Sequence, residues 1–135
     1  AWCNTQPISV SKIHELSQFI ISNGDYNVGE EERNNLANLD AFAIQAKLAQ
    51  RIKCIGSAIV ETSYVASGRI DAYVMQFSHL WDISVGNILV REAGGEITHL
   101  NGDDITYRDG CNVLFSNGHQ HQTLVSELKT TWPSL

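Results

Sequence analysis

The chain has 135 residues, of which 43% are hydrophobic and 18% are charged, and its formal net charge is −6. This length and composition predict one domain with a substantial core, and they exclude a disordered or collagen-like chain. The negative charge argues against binding to a nucleic-acid backbone, and apolar runs of about four residues are too short for a membrane helix.

Hydrophobic periodicity predicts strands that alternate with helices along the chain. After an extended opening segment, the predicted strands span residues 18–22, 52–55, 70–75, 96–100 and 112–116. The predicted helices start at about Glu30, Ser57 and Asp82, and a fourth helix closes the chain. The first of these helices carries a stripe at helical spacing, formed by Leu36, Leu39, Ala43 and Ala46. This order of elements predicts an α/β domain layered as helix–sheet–helix, with a mostly parallel sheet.

The spacing of the cysteines indicates the cellular compartment. Cys3, Cys54 and Cys111 are widely spaced and form no C-x-x-C pair. This pattern predicts reduced thiols in a cytoplasmic protein.

The start of the chain indicates whether the sequence is whole. The single methionine is Met75, and the first residues carry no signal-peptide pattern. We therefore expect either a removed leader or the rear portion of a longer polypeptide.

Asp82 stands where a predicted strand gives way to a predicted helix. One interpretation is a helix N-cap, in which the carboxylate accepts backbone N–H bonds. The other is a functional carboxylate at the carboxyl edge of the sheet, where open α/β sheets bind their ligands. Position alone favours the cap.

Other candidate residues have weaker patterns. His119 and His121 form an H-x-H pair, but they begin a predicted helix, where positions i and i+2 diverge, so surface histidines are expected. His79, two residues before Trp81, could contact a substrate or be a loop histidine without a role. The tryptophans, which are Trp2, Trp81 and Trp132, are expected to be packing residues.

Several unlike motifs occur together in one order. They read W-D-I-S-V-G at 81–86, V-R-E-A-G-G at 90–95, I-G-S-A at 55–58 and Y-V-A-S-G-R-I-D-A-Y at 64–73. The chain also opens on A-W-C-N and P-I-S-V-S, and V-L-F-S-N precedes its last helix. In this combination the sequence resembles the inositol monophosphatase family, whose signature is W-D-x-A-x-G followed by E-A-G-G.

The resemblance implies the C-terminal half of the sugar-phosphatase (αβαβα) fold. Residues 1–11 would be a remnant of the N-terminal domain's edge hairpin, and residues 12–135 the C-terminal α/β domain. The implied activity is that of a magnesium-dependent, lithium-sensitive phosphomonoesterase, and family members are commonly cytosolic dimers. Asp82 matches the family's Mg²⁺ ligand that also approaches the substrate. Gly56, Ser57 and Ala58 match the turn that contacts the substrate's alcohol portion.

The sequence also departs from the family pattern. The main metal signature, D-P-[IL]-D-G-T, and an upstream Glu are absent, and one Asp cannot complete a magnesium site. We therefore expect the chain to need an N-terminal half for activity, and we assign no catalytic residue.

The substrate is also left open by the sequence. Met75 stands where inositol-cleaving members have a Glu that accepts a sugar hydroxyl, so the substrate could be another phosphorylated alcohol, sugar or nucleotide. The alternative function is a non-catalytic α/β interaction or assembly module.

Overall fold

The computed structural model describes residues 1–24, 26 and 32–131. Its strands are β1 (Trp2–Cys3), β2 (Gln6–Pro7), β3 (Ile20–Asn23), β4 (Arg51–Lys53), β5 (Ala72–Ser78), β6 (Glu96–His99) and β7 (Cys111–Ser116). Its helices are α1 (Glu32–Leu48), α2 (Ala58–Ala66), α3 (Leu80–Glu92) and α4 (His121–Leu128). Each predicted strand and helix is present, although the expected helix start at Glu30 lies outside the described residues.

The main sheet has five strands in the order β4-β3-β5-β7-β6. β3 pairs in parallel with both β4 and β5, whereas β7 pairs antiparallel with both β5 and β6. The α/β class is confirmed, but the sheet is mixed rather than mostly parallel. The reason is local, because residues 100–110 join β6 to β7 without a helix, and a parallel pair needs a longer crossover.

Helices cover both faces of this sheet, and each face has its own apolar cluster. Val65 of α2 and Ile83 of α3 pack with Tyr73 and Phe115 on one face. Ala41 of α1 and the buried leucines of α4 pack with residues such as Ile21 and Val74 on the other face. The layers are therefore helix–sheet–helix, as predicted. None of the described helices is both long and apolar enough to cross a bilayer.

The α1 stripe does not face the sheet. Leu36 is 63% exposed, and Leu39 is exposed as well. Asn38, Ala41 and Gln45 form the buried side instead. Two hydrogen bonds join this side to Asn23 at the end of β3. Gln45 Nε2 donates to Asn23 Oδ1 at 3.3 Å, and Asn23 Nδ2 donates to the backbone carbonyl of Asn38 at 3.3 Å. These polar contacts, rather than the leucines, determine which side of α1 meets the sheet.

A buried carboxylate joins the opening segment to the sheet. Asp71 accepts hydrogen bonds from the Ser11 hydroxyl and, at 2.6 Å, from the backbone N–H of Ile20. The side-chain amide of Asn117 donates to Ser11 Oγ at 2.9 Å and to the carbonyl of Ile13 at 3.0 Å. Residues from the start, middle and end of the chain therefore meet in one network, which we call the Asp71 cluster (Ser11, Asp71 and Asn117).

The β1–β2 hairpin lies next to the C-terminal end of α3. Its strands pair antiparallel, with Trp2 opposite Pro7. The backbone N–H of Val10 donates to the carbonyl of Ala93 at 3.0 Å, and Ile8 packs against the cluster between α3 and the sheet. The assignment of residues 1–11 to a preceding domain stays a proposal.

Gly86 allows α3 to approach its neighbours closely. A Cβ atom at this position would lie 2.7 Å from the Phe115 ring and 2.9 Å from the Thr62 methyl group. Real Cβ contacts are not this short, and Phe115 is fully buried, so its ring has little room to move. The W-D-I-S-V-G motif therefore needs its glycine for packing.

We expect Gly86→Ala to lower the free energy of unfolding by about 1–3 kcal/mol, because the added methyl group overpacks the α2–α3–β7 contact. Chemical denaturation measures this loss. Ile88→Ala, on an exposed position of the same helix, is the matched control and should change stability by less than about 0.5 kcal/mol. Equal stability of Gly86→Ala and the unmodified chain would contradict the close approach.

Candidate active site

A cavity of about 480 Å³ opens where β3 and β5 end. The turn after β4, the last residues of β5 and the first turn of α3 line it, so Gly56, Ser57, Ala58 and Asp82 all face one space. Met75 and Gln76 contribute from β5. Ligands of α/β sheets bind in this type of place, beyond the carboxyl ends of parallel strands.

Asp82 is the third residue of α3, and the residue in the N-cap position is His79. The described part of the structure gives the Asp82 carboxylate no hydrogen bond, so the capping interpretation is not supported. Partial burial raises the pKa of Asp82 above its ordinary value, and nearby His79 offsets part of that rise. The carboxylate is therefore partly buried at the cavity, and no donor among the described residues compensates its charge.

The turn before α2 is held in an exposed conformation. Gly56 has a φ of +82°, which L side chains rarely adopt, and Ser57 precedes α2 in an extended conformation. The Ser57 hydroxyl makes no capping bond to the helix, so it remains available at the cavity. The backbone and hydroxyl groups of this turn can therefore reach a ligand.

A buried acid that the sequence did not reveal braces this turn. Glu61 of α2 is almost fully buried, and its Oε1 accepts the Ile55 backbone N–H at 3.2 Å and the Ser22 hydroxyl at 2.5 Å. Glu61 thereby connects the turn to β3. Its position on α2, one turn after Ala58, gave no signal of burial in the sequence.

Met75 and Gln76 form the floor of the cavity from β5. Met75 is buried, and it supplies a thioether that cannot replace a carboxylate acceptor. The Gln76 side-chain amide donates to Asn23 Oδ1 at 3.0 Å, which fixes it toward the end of β3. The floor therefore has no acidic group at either position.

Aromatic groups stand at the rim. The His79 ring stacks on the Trp81 ring, with centroids 4.4 Å apart and planes 15° apart. His79 lines the cavity, whereas Trp81 is largely exposed. The expectation that Trp81 is a packing residue is wrong, as it is for exposed Trp2, and Trp132 lies outside the described residues.

The H-x-H pair is not a metal site. His121 is buried and bonds through its ring nitrogens to Thr98 Oγ1 at 2.9 Å and Ser116 Oγ at 2.7 Å. His119 instead lies against the ring of His14, 3.8 Å away. The expectation of a surface position is therefore wrong for His121, since the two hydroxyls satisfy the hydrogen bonding of its ring nitrogens in a buried position.

The described residues contain no group of three or more His, Cys, Asp or Glu side chains placed to hold a metal ion. Asp82 is a suitable oxygen donor for Mg²⁺, which takes near-octahedral oxygen coordination. One carboxylate fits as part of such a site and does not make a whole one.

Comparisons of the sequence with known proteins identify its family. A family model described as the inositol monophosphatase family matches residues 1–132. The chain is 39% identical over 127 residues to a fructose-1,6-bisphosphatase/inositol-1-monophosphatase of Thermotoga maritima, covering 93% of this chain and 45% of that protein. It is 34% identical over 95 residues to a bifunctional NADP phosphatase/NAD kinase of Methanococcus maripaludis, covering 66% of this chain and 17% of that protein.

A solved structure is similar over nearly the whole chain. The inositol monophosphatase from Anabaena (Nostoc) sp. PCC 7120 superposes with a TM-score of 0.83 at 31% identity. The match covers 96% of this chain and 50% of that one. The chain therefore spans about half the length of the Thermotoga maritima and Anabaena phosphatases.

We expect Asp82→Asn to raise the melting temperature at pH 7 slightly, by at most about 2 °C. The raised pKa means that ionised Asp82 costs stability in the fold above its ordinary pKa of 3.8, and the amide removes this cost. Below pH 3.8 the carboxyl is protonated in both the folded and the unfolded chain, so the difference should disappear.

Thermal unfolding at pH 7 and pH 3 measures both effects. Asp104→Asn, at an exposed carboxylate away from the cavity, is the matched control and should leave the melting temperature unchanged at both pH values. A clear loss of stability in Asp82→Asn at pH 7 would restore the capping interpretation.

Proposed function

Because the chain belongs to the inositol monophosphatase family, we propose that it is the C-terminal domain of a Mg²⁺-dependent phosphomonoesterase. Its substrate would be a small phosphorylated alcohol, sugar or nucleotide. The chain would supply one side of a two-sided active site, and an N-terminal half would supply the other. By itself the chain would be inactive.

The observation that carries this proposal is the position of Asp82. Its carboxylate lines the same cavity as Gly56, Ser57 and Ala58, lacks a hydrogen bond among the described residues, and has a raised pKa because of burial. A partly buried carboxylate that has no donor among the described residues and shares a cavity with an exposed Gly-Ser turn suits metal and substrate binding.

Each group has a separate role in this proposal. Asp82 would hold Mg²⁺, and the ion, when bound, would stabilise the charge on the transferring phosphoryl group. The Ser57 hydroxyl and the backbone at Gly56 would hold the alcohol portion, while Glu61 keeps their turn fixed to β3. Buried Met75 and the rest of the floor would exclude water from that side.

The outer surface of the α2–α3 layer supports a second half. Ile88 is 66% exposed, and Ile59 and Val85 are also exposed. Exposed apolar patches of this kind mark surfaces that another domain covers. The relatives contain enough additional chain to cover it, since this chain spans 45% of the Thermotoga maritima protein.

Phosphate release is the direct test. We expect no Mg²⁺-dependent release of phosphate from small phosphomonoesters by this chain alone. Release should appear when an N-terminal half from the family is fused ahead of Ala1. In that complete protein, Asp82→Asn should lower turnover by about a hundredfold or more, because a metal ligand is lost.

The outcomes separate the proposal from its alternative. Activity of the chain alone would contradict the claim that one carboxylate is insufficient. No activity with the added half would favour the alternative, a non-catalytic α/β interaction or assembly module. Asp104→Asn in the complete protein is the control, and its turnover should stay unchanged.

Met75 gives a second test, of substrate preference. In the complete protein, Met75→Glu should increase the preference for inositol 1-phosphate over other phosphomonoesters by about tenfold or more, because a carboxylate accepts a ring hydroxyl that a thioether cannot. The ratio of kcat/KM values measures the change. Met75→Leu, which keeps the floor apolar, should leave the preference unchanged, and an unchanged ratio for Met75→Glu would contradict the alignment of this position.

A further inference from the structure

Two exposed histidines from opposite ends of the chain lie against each other outside the cavity. His14 lies shortly before β3, whereas His119 lies in the turn before α4, so the folded chain brings them together. Their ring centroids are 3.8 Å apart, and the ring planes are tilted by 46°. Neither residue lines the cavity described above. We call His14 and His119 the histidine pair.

The ring nitrogens of the histidine pair make no hydrogen bond or ion pair with any residue that the structure describes. His99 and His121 differ in this respect, because their ring nitrogens bond to hydroxyl or carbonyl oxygens of the chain. A neutral imidazole has one nitrogen that carries a free lone pair. Each ring of the pair can therefore offer a nitrogen to a ligand from solvent.

Hydrogen bonds hold the backbone on both sides of the pair. The side-chain amide of Gln120 donates to the carbonyl of His14 at 2.7 Å. Asn117 donates from Nδ2 to the carbonyl of Ile13 at 3.0 Å, and its Oδ1 accepts the backbone N–H of His119 at 3.1 Å. Asn117 therefore fixes the two backbone segments relative to each other. A ligand that needs both imidazoles finds them already adjacent, which lowers the entropy cost of binding.

Two neighbouring imidazoles suit a particular class of ligand. Imidazole nitrogens are good ligands for Zn²⁺ and for other borderline divalent cations, whereas Mg²⁺ takes oxygen ligands. The described residues place no third His, Cys, Asp or Glu side chain to complete a group of three. Water would therefore fill the remaining positions around an ion held here. This chemistry differs from that of Asp82, which offers an oxygen.

The rings have to separate slightly in order to share one ion. At Zn–N distances of about 2.0–2.1 Å in a tetrahedral arrangement, two imidazoles have their centroids about 5 Å apart. The centroids of the histidine pair are 3.8 Å apart, so they have to move apart by about 1 Å. Both side chains are exposed, so small side-chain rotations suffice and the backbone hydrogen bonds stay in place.

We propose that the histidine pair binds one Zn²⁺ ion, or a divalent cation of the same borderline chemistry, and that the ion clamps the segment around His14 to the turn before α4. The unfolded chain does not hold the two imidazoles together, so the ion stabilises the folded chain. This site is independent of the proposed magnesium site, because neither histidine lines the cavity.

A Zn²⁺ titration of this chain tests the proposal. Cys3 and Cys54 are exposed, so both are replaced by serine in the chain that is titrated, and their thiolates cannot compete for the ion. Calorimetry should show saturable binding of one Zn²⁺ per chain. His14→Gln and His119→Gln should each weaken this binding by about tenfold or more, because one of two protein ligands is lost. Mg²⁺ should give no binding that depends on either histidine.

Two further measurements distinguish one shared ion from separate weak contacts. In NMR spectra of the imidazole nitrogens, the resonances of His14 and His119 should change together, with the same midpoint in the titration. Zn²⁺ at about a hundredfold excess over its Kd should raise the melting temperature by about 5 °C or more. This rise should be absent in His14→Gln and in His119→Gln.

His79→Gln is the matched control. His79 is also an exposed histidine whose ring stacks on an aromatic side chain, but its stacking partner is Trp81 and not an imidazole. The variant should bind Zn²⁺ as tightly as the chain from which it is made.

Four results would overturn the proposal. These are no saturable binding of Zn²⁺, unchanged affinity in His14→Gln or His119→Gln, binding of a separate ion by each histidine, and loss of the site in His79→Gln. None of them involves phosphate release, so the proposed phosphatase function is tested separately.

Discussion

The close approach of α3 to the sheet sets the geometry of the whole site. Because Gly86 has no side chain, α3 lies directly against the Phe115 ring and the Thr62 methyl group. Asp82 lies one turn earlier on the same helix, so this contact determines how far its carboxylate stands from the turn at Gly56 and Ser57. The distance between the two parts of the cavity is thus fixed by a packing contact on the buried side of the helix.

Local patterns predicted the order of the elements, but partners distant in sequence decided which faces were buried. The strands and helices follow from short-range periodicity. The leucine pattern of α1 did not predict its buried side, because Asn38 and Gln45 bond to Asn23, whose position depends on the sheet. The prediction of a surface position for His121 was wrong for the same reason, since its two hydroxyl partners come from β6 and β7. The mixed sheet, by contrast, could have been predicted from the sequence, because the connection before β7 contains no helix and therefore favours antiparallel pairing of β6 and β7.

The sequence likewise predicted some residues of the candidate site and missed others. The motifs at Gly56–Ala58 and at Asp82 predicted that both would belong to one site, and the structure places them on one cavity. Glu61 had no comparable signal. Its role depends on hydrogen bonds to the Ile55 backbone and to Ser22 of β3, and these partners come together only in the folded chain. A sequence motif identifies the chemistry at such a site more readily than the surfaces that select its ligand.

The Asp71 cluster has a consequence for the synthesis of the chain. Ser11 bonds to Asp71, 60 residues later, and Asn117 bonds back to Ser11 across 106 residues. Contacts between such distant positions form late, because the entropy of closing a long loop must be overcome first. On a ribosome, the bonds from Asn117 to Ser11 and Ile13 can therefore form only after Asn117 has left the exit tunnel, whereas the bond from Ser11 to Asp71 can form earlier.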